Sequence, residues 1–178
     1  MMVQRLRIEK SWLSRTGLAA WALCLCVYLA IPGQAATLRE DESLRHLKGV
    51  AVAVEKINPD LEKLGLKRDQ VKQEVEARLE RAGIKLLTEK DVFTGKPWLY
   101  ININAFEALE GRLLIFAISE ELIQKVRLVR DPLISTTAVT WSASRAGYAD
   151  RGQAGEINRV VGELVDRFIQ DYSQANLP

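Results

Sequence analysis

Cysteine and histidine are scarce in this chain of 178 residues, which has two cysteines and one histidine. Cys24 and Cys26 lie in an apolar run near the amino terminus, and His46 lies in the charged segment that follows. The chain beyond residue 47 therefore has no disulfide and no thiolate nucleophile. Without a histidine it also lacks a Ser-His-Asp or Cys-His set, and we expect no metal site.

Motifs that bind nucleotides are absent as well. The sequence has no glycine-rich phosphate loop, no dinucleotide fingerprint and no Gly-x-Ser-x-Gly element, so we expect no cofactor. A carboxylate pair is the one catalytic design left, with Glu107, Glu110, Glu120, Glu121 and Asp131 as candidates. Adjacent residues of a strand point to opposite faces, which keeps Glu120 and Glu121 apart. We predict no enzymatic activity, with a small carboxylate-dependent envelope hydrolase as the alternative.

The amino terminus has the pattern of an export signal. Four basic residues precede residue 17, residues 17–31 are uncharged and apolar, and Gly33-Gln34-Ala35 places small residues where signal peptidase requires them. We predict a signal peptide over residues 1–35, cleaved after Ala35, and a periplasmic or secreted protein. Because the uncharged stretch continues to residue 38, an inner-membrane anchor over residues 17–38 is the alternative. Both cysteines follow leucines, and a lipoprotein signal requires a small residue there, which excludes lipidation.

The net charge gives no reason to expect nucleic acid. Residues 1–35 hold four of the 25 basic and one of the 23 acidic residues, so the net charge falls from +2 to −1 without them. A nucleic-acid surface requires concentrated positive charge. The remaining 143 residues are enough for one domain with its own core. We predict a flexible lead-in over residues 36–47 and a single domain over residues 48–178.

Hydrophobic periodicity predicts the fold class. Period-two alternation and β-branched residues indicate strands at residues 50–54, at residues 84–88 and in three segments between residues 97 and 144. Amphipathic periodicity indicates helices over residues 68–82 and 156–172, and small residues predict a loop over 146–155. The order β-α-β-β-β-β-α gives an α+β two-layer sandwich, with a mostly antiparallel sheet and two amphipathic helices on one face. The second face then has no helix of its own.

Aromatic and polar side chains on the predicted meander form a candidate binding surface. Alternation places Tyr100, Asn102 and Asn104 on one strand face, and Trp98 and Trp141 lie on the first and third segments. Tryptophan and tyrosine are enriched at recognition surfaces. The alternative is that both tryptophans pack in or beside the core.

Two arginines form a second candidate. Arg127 and Arg130 precede Asp131, either as a clamp for an anionic group or as partners of neighbouring acids. We predict a non-enzymatic binding or adaptor domain that contacts an envelope protein, or its own copy, through the uncovered sheet face or an edge strand. Membrane contact is expected only through the signal segment, if it is uncleaved.

Several segments resemble a family of small uncharacterised exported bacterial proteins. They are WLYININAF, IQKVRLVRDP, TAVTWS and VVGELVDRFIQDY, with GVAVAVEKIN and EARLERAGIKLLTE before them. The resemblance runs from about residue 47 to the carboxyl end. It implies an envelope location and a compact α+β domain, and it implies no catalytic residues. The family pattern opens the first helix with threonine or serine, whereas Lys67 and Arg68 stand there in this chain, so the cap is weakened or is supplied by Asp69.

Overall fold

Alternating apolar side chains build a four-stranded sheet. The computed structural model describes residues 40–88, 91, 95–153 and 155–177. The strands are β1 (Ala51–Val54), β2 (Trp98–Ala108), β3 (Leu113–Leu128) and β4 (Asp131–Asp150), in the order β1-β2-β3-β4. β1 pairs parallel with β2, and the other two pairings are antiparallel. The predicted α+β class and mostly antiparallel sheet are confirmed.

Helices cover one face of this sheet. They are α1 (Pro59–Lys63), α2 (Arg68–Arg81) and α3 (Gly155–Ala175). In α2 the residues Val71, Val75 and Leu79, spaced four apart, are buried, and Gly83 follows with the positive φ of a helix-ending glycine. Lys67 makes no side-chain capping hydrogen bond at the start of α2, so this end of the helix lacks the usual cap.

The predicted strand at residues 84–88 is wrong. Only Leu86 forms a bridge, with Val50, supported by hydrogen bonds from the Val50 N–H to the Lys85 carbonyl and from the Leu87 N–H to the Val50 carbonyl. At Gly49 an added Cβ would lie 2.3 Å from the Lys85 carbonyl oxygen. The segment therefore crosses the chain closely at residues 49 and 50, just before β1, and it forms no ladder with β1.

β4 continues beyond the predicted third segment. The expected loop over residues 146–155 begins as strand to Asp150, because residues 146–150 pair with residues 113–117 of β3. Gly147 lies opposite Phe116, and a Cβ there would approach the ring to 2.8 Å. The glycine therefore makes room for a core phenylalanine and does not mark a turn.

A β-bulge changes which side chains of β4 face the core. Leu122 pairs with Trp141 and the next residue, Ile123, pairs with Val139, which leaves Thr140 as the extra residue. In a regular strand Val139 and Trp141 would share a face, because they are two residues apart. The bulge places them on opposite faces, with Trp141 buried and Val139 exposed.

Residues 40–47 belong to the packed domain, which corrects the flexible lead-in predicted there. Glu40–Leu44 forms a 3₁₀ helix, and Leu44 is fully buried. The Asn176 side-chain amide donates to the Leu44 carbonyl, and the Tyr172 hydroxyl donates to the Leu47 carbonyl. The predicted signal peptide, its cleavage after Ala35 and the alternative anchor lie outside the described residues.

Candidate functional site

The sheet face opposite the helices presents five rows of side chains. Residues paired across antiparallel strands share a face, so the register of β2, β3 and β4 defines each row. The rows are Trp98, Ile123 and Val139; Tyr100, Glu121 and Ser142; Asn102, Ser119 and Ser144; Asn104, Ala117 and Ala146; and Phe106, Ile115 and Tyr148. We call these five rows the open face, because no helix of the described residues packs on them.

The centre of the open face is polar and connected by hydrogen bonds. The Asn104 side-chain amide donates to the Asn102 side-chain oxygen, and Asn102 donates to the carboxylate of Glu55, the residue that follows β1. Burial and a hydrogen bond to the same carboxylate both raise the pKa of Tyr100. These contacts fix the side chains of β2 in place, so the centre is a preorganised polar surface.

The two ends of the open face are apolar. Phe106, Ile115 and Tyr148 in the last row are 62 %, 39 % and 75 % exposed. In the first row Trp98 is 43 % and Val139 is 49 % exposed, and the Lys96 ammonium lies 5.8 Å from the centre of the Trp98 ring. Exposed large apolar side chains that lie side by side within one row are typical of interaction surfaces rather than of a solvated face.

Trp141 does not belong to this surface. Its side chain is 2 % exposed, it meets Phe168 edge-on with ring centres 5.0 Å apart, and its indole N–H donates to Asp171 at 2.9 Å. The core alternative that we considered therefore holds for Trp141, and we remove it from the candidate binding residues. Trp98, Tyr100, Asn102 and Asn104 lie together on the open face.

Arg127 and Arg130 lie on a separate part of the molecule. β3 and β4 continue past the end of β2 as a two-stranded arm, residues 123–139, which ends in a turn at Val129 and Arg130. Ile123 and Val139 form the base of the arm, where Ile123 still pairs with Trp98 of β2. Both arginines are exposed, and neither forms an ion pair with any described residue. The alternative in which they pair with neighbouring acids is therefore not seen in the described part of the chain, and the guanidinium groups are available to a ligand.

The five candidate carboxylates do not come together. Glu107 pairs with Arg151 at 3.0 Å, and Asp131 accepts a hydrogen bond from the Leu133 N–H at the end of the arm. Glu110 lies in the β2–β3 turn, and Glu120 and Glu121 face opposite sides of β3. A glycosidase-type mechanism requires two carboxyl groups across one bond, and this distribution gives no observation in its favour.

Glu120 has an unusual environment. It lies between Ile101 and Ala143 on the covered face and is fully buried. Neither carboxylate oxygen has a hydrogen-bond partner among the described residues. Burial raises the pKa of Glu120 well above its ordinary value, and the negative charge of Asp166 acts in the same direction. The group is enclosed in the core, so it is a structural peculiarity without access to a substrate.

A surface cleft of about 860 Å³ borders Trp98. It runs along β1 between α2 and residues 83–88, and Lys72, Lys96 and Glu76 contribute to its lining. Within the described residues no group of three or more His, Cys, Asp or Glu side chains is placed to hold a metal ion. None of the described helices is long and apolar enough to cross a membrane.

Sequence reasoning missed part of the open face. Phe106, Ile115 and Tyr148 form its last row and are all exposed, yet Tyr148 fell within the predicted loop. The alternation of Ile115, Ala117 and Ser119 on β3 was the available signal for three of the rows. The register with β4, which adds the third residue of every row, depends on a bulge that single-sequence patterns do not reveal.

Comparisons with known proteins leave the family open. No family model matches the chain, and no curated protein matches it. The crystal structure of a minor lipoprotein from Acinetobacter baumannii is similar at 12 % identity and a TM-score of 0.28, over 72 % of this chain and 92 % of that chain. A similarity at this score establishes neither a shared fold nor a shared function. The family resemblance stays a prediction.

Proposed function

We propose that this protein is an exported, non-catalytic domain of the bacterial envelope that binds a protein partner through its open face. The observation that carries the proposal is the pair of exposed apolar rows on a sheet face that no described helix covers. The row of Phe106, Ile115 and Tyr148 lies at one end, and the row of Trp98 and Val139 lies at the other. Such surface is costly to leave in water, and a partner removes it from water.

The envelope location rests on the amino-terminal sequence. Residues 1–35 carry the basic, apolar and small-residue order of an export signal. The periplasm is the destination that this order supports first, and an inner-membrane anchor over residues 17–38 is the variant without cleavage. In either case the domain works outside the cytoplasm.

The pattern of the open face specifies the chemistry of the partner. A partner that covers both apolar rows must also satisfy the polar groups of Asn102, Asn104 and Ser144 between them. A second copy of this chain has that pattern. Rotation about a two-fold axis in the plane of the interface brings apolar rows against apolar rows and polar centre against polar centre. A second copy is therefore the partner that we expect first.

Photo-crosslinking in cells tests the proposal. Probes at Ala117 and Ser144 report on the open face, and a probe at the exposed Gln73 on α2 is the control. We expect adducts of twice the chain mass from the two open-face probes and none from Gln73. Phe106→Asp should abolish them, because it places a charge in the last row. Leu177→Asp, at an apolar position 70 % exposed outside the open face, should leave them unchanged.

The outcomes separate the versions of the proposal. An adduct with another envelope protein that Phe106→Asp abolishes supports the binding domain and replaces the second copy as the partner. Adducts that survive Phe106→Asp, or equal labelling from Gln73, contradict binding through the open face.

A further inference from the structure

The arm formed by residues 123–139 extends beyond the core. None of its residues is buried, although β3 is buried at every second position from Leu114 to Leu122. Leu128 at its end comes five residues after Ile123 at its base, which is a length of about 17 Å at strand spacing. An isolated two-stranded ribbon is only marginally stable in water, so an arm of this kind gains from a surface that it contacts.

The end of the arm combines exposed apolar and cationic side chains. Val129 is 98 % exposed and Leu133 is 94 % exposed. The arm carries three cations, Lys125, Arg127 and Arg130, and a single acid, Asp131, which gives a net charge of +2. No described residue forms an ion pair with any of the three cations. Apolar and cationic side chains therefore lie together at the tip, and a lipid interface offers acyl chains and phosphates at neighbouring depths to such a combination.

The described domain also begins beside the base of the arm. In the first 3₁₀ helix the Ser43 hydroxyl donates to the Thr140 carbonyl at 2.9 Å, and the Gln124 side-chain amide donates to the Ser43 carbonyl at 3.2 Å. Ser43 comes five residues after residue 38, where the uncharged amino-terminal stretch ends. Five residue steps span at most about 18 Å. If residues 17–38 stay in the membrane, the base of the arm lies within that distance of the bilayer, and the arm has the length to reach it.

We propose that the tip of the arm contacts an anionic lipid surface. Val129 and Leu133 enter the interfacial layer, while the guanidinium groups of Arg127 and Arg130 donate hydrogen bonds to lipid phosphates. Lys125 lies one strand repeat farther back and adds long-range attraction. This contact uses a different surface from the open face and does not depend on the partner proposed above.

Fluorescence quenching tests this contact in the full chain. Cys24 and Cys26 are replaced by alanine, and a single cysteine at Val129→Cys carries a bimane label. The protein is reconstituted in vesicles of equal parts phosphatidylcholine and phosphatidylglycerol that contain nitroxide-labelled lipid. The matched control is Leu109→Cys, an exposed apolar position in the β2–β3 turn at the opposite end of the sheet. We expect several-fold stronger quenching at position 129 than at 109.

Charge reversal tests whether attraction between the arginines and anionic lipid is required. Arg127→Glu together with Arg130→Glu should lower the quenching at position 129 to the level at 109, and vesicles of phosphatidylcholine alone should act in the same way. Phe106→Asp on the open face should leave it unchanged, which keeps this result separate from the partner test. Equal quenching at the two positions, or quenching unaffected by charge reversal, overturns the proposal. A photo-probe at position 129 that captures protein and no lipid also overturns it.

Discussion

Glu120 and Glu121 are neighbours on β3, yet they lie on faces with opposite requirements. Glu120 is fully enclosed among apolar side chains, whereas Glu121 lies in the polar centre of the open face beside Tyr100 and Ser142. The covered face holds the large apolar side chains that stabilise the fold, and Glu120 is the one charged residue buried with them in the described domain. The open face keeps large apolar side chains in contact with water. The comparison suggests that stability resides in one face and recognition in the other.

The two tryptophans of the sheet should show the largest difference in stability between the covered face and the open face. Trp141→Ala should lower the free energy of unfolding by about 3–5 kcal/mol, because it leaves a cavity against Phe168. Trp98→Ala should lower it by about 1 kcal/mol or less, since nearly half of that side chain is already in water. Urea unfolding followed by far-ultraviolet circular dichroism measures both variants. Equal losses would mean that the two faces contribute to stability alike.

Glu120 gives the second test, and its sign follows from proton linkage. An acid whose pKa is higher in the folded than in the unfolded state binds its proton more tightly when folded. Its contribution is therefore present in full below the usual pKa of 4.5 and is lost as pH rises through the raised pKa of the folded state. We expect the free energy of unfolding to decrease as pH rises from 4.5 through the raised pKa of folded Glu120.

Substitution should remove that dependence. Glu120→Leu eliminates the buried carboxyl group without a hydrogen-bond partner and should stabilise the protein at neutral pH by roughly 1–3 kcal/mol. Denaturant unfolding at several pH values gives the measurement. Glu121→Gln, on the open face one residue away, is the control and should leave the pH dependence of the wild type in place. A pH profile that is identical in wild type and Glu120→Leu would show that Glu120 is not the group responsible.

The alternation of apolar and polar residues was sufficient to predict β2 and most of β3. Leu99, Ile101 and Ile103 alternate with Tyr100 and Asn102, and the structure buries the first set and leaves the second on the open face. Periodicity works here because each strand has one covered face, which demands apolar residues at every second position. The apolar stripe of α3 was predictable for the same reason.

The features that the sequence alone could not predict depend on the pairing of β4 with β3. Thr140 shifts the register by one residue, and only the presence of β3 opposite it makes that shift visible. Gly147 has low strand propensity, and its place in β4 comes from the Phe116 ring that covers it. The candidate site has the same limits, because its β2 residues were predictable whereas its last row required the register with β4.

The last row of the open face gives the smallest expected change in stability. Phe106 and Phe116 lie on the paired strands β2 and β3, one 62 % and the other 4 % exposed. Phe106→Ser should change the free energy of unfolding by less than about 0.5 kcal/mol, because the phenylalanine is largely in water in the folded state. Phe116→Ser is the matched control and should cost several times more, since it opens a cavity and buries a hydroxyl.

Measuring the urea midpoint at two protein concentrations extends this test to the open face itself. If a second copy covers the face, the wild-type midpoint should rise with concentration, because association stabilises the folded state by mass action. Phe106→Ser should remove that dependence while leaving the low-concentration midpoint almost unchanged. A large loss of stability in Phe106→Ser at low concentration would instead show that the apolar row supports the fold of the single chain. In that case the open face would not be a surface reserved for recognition.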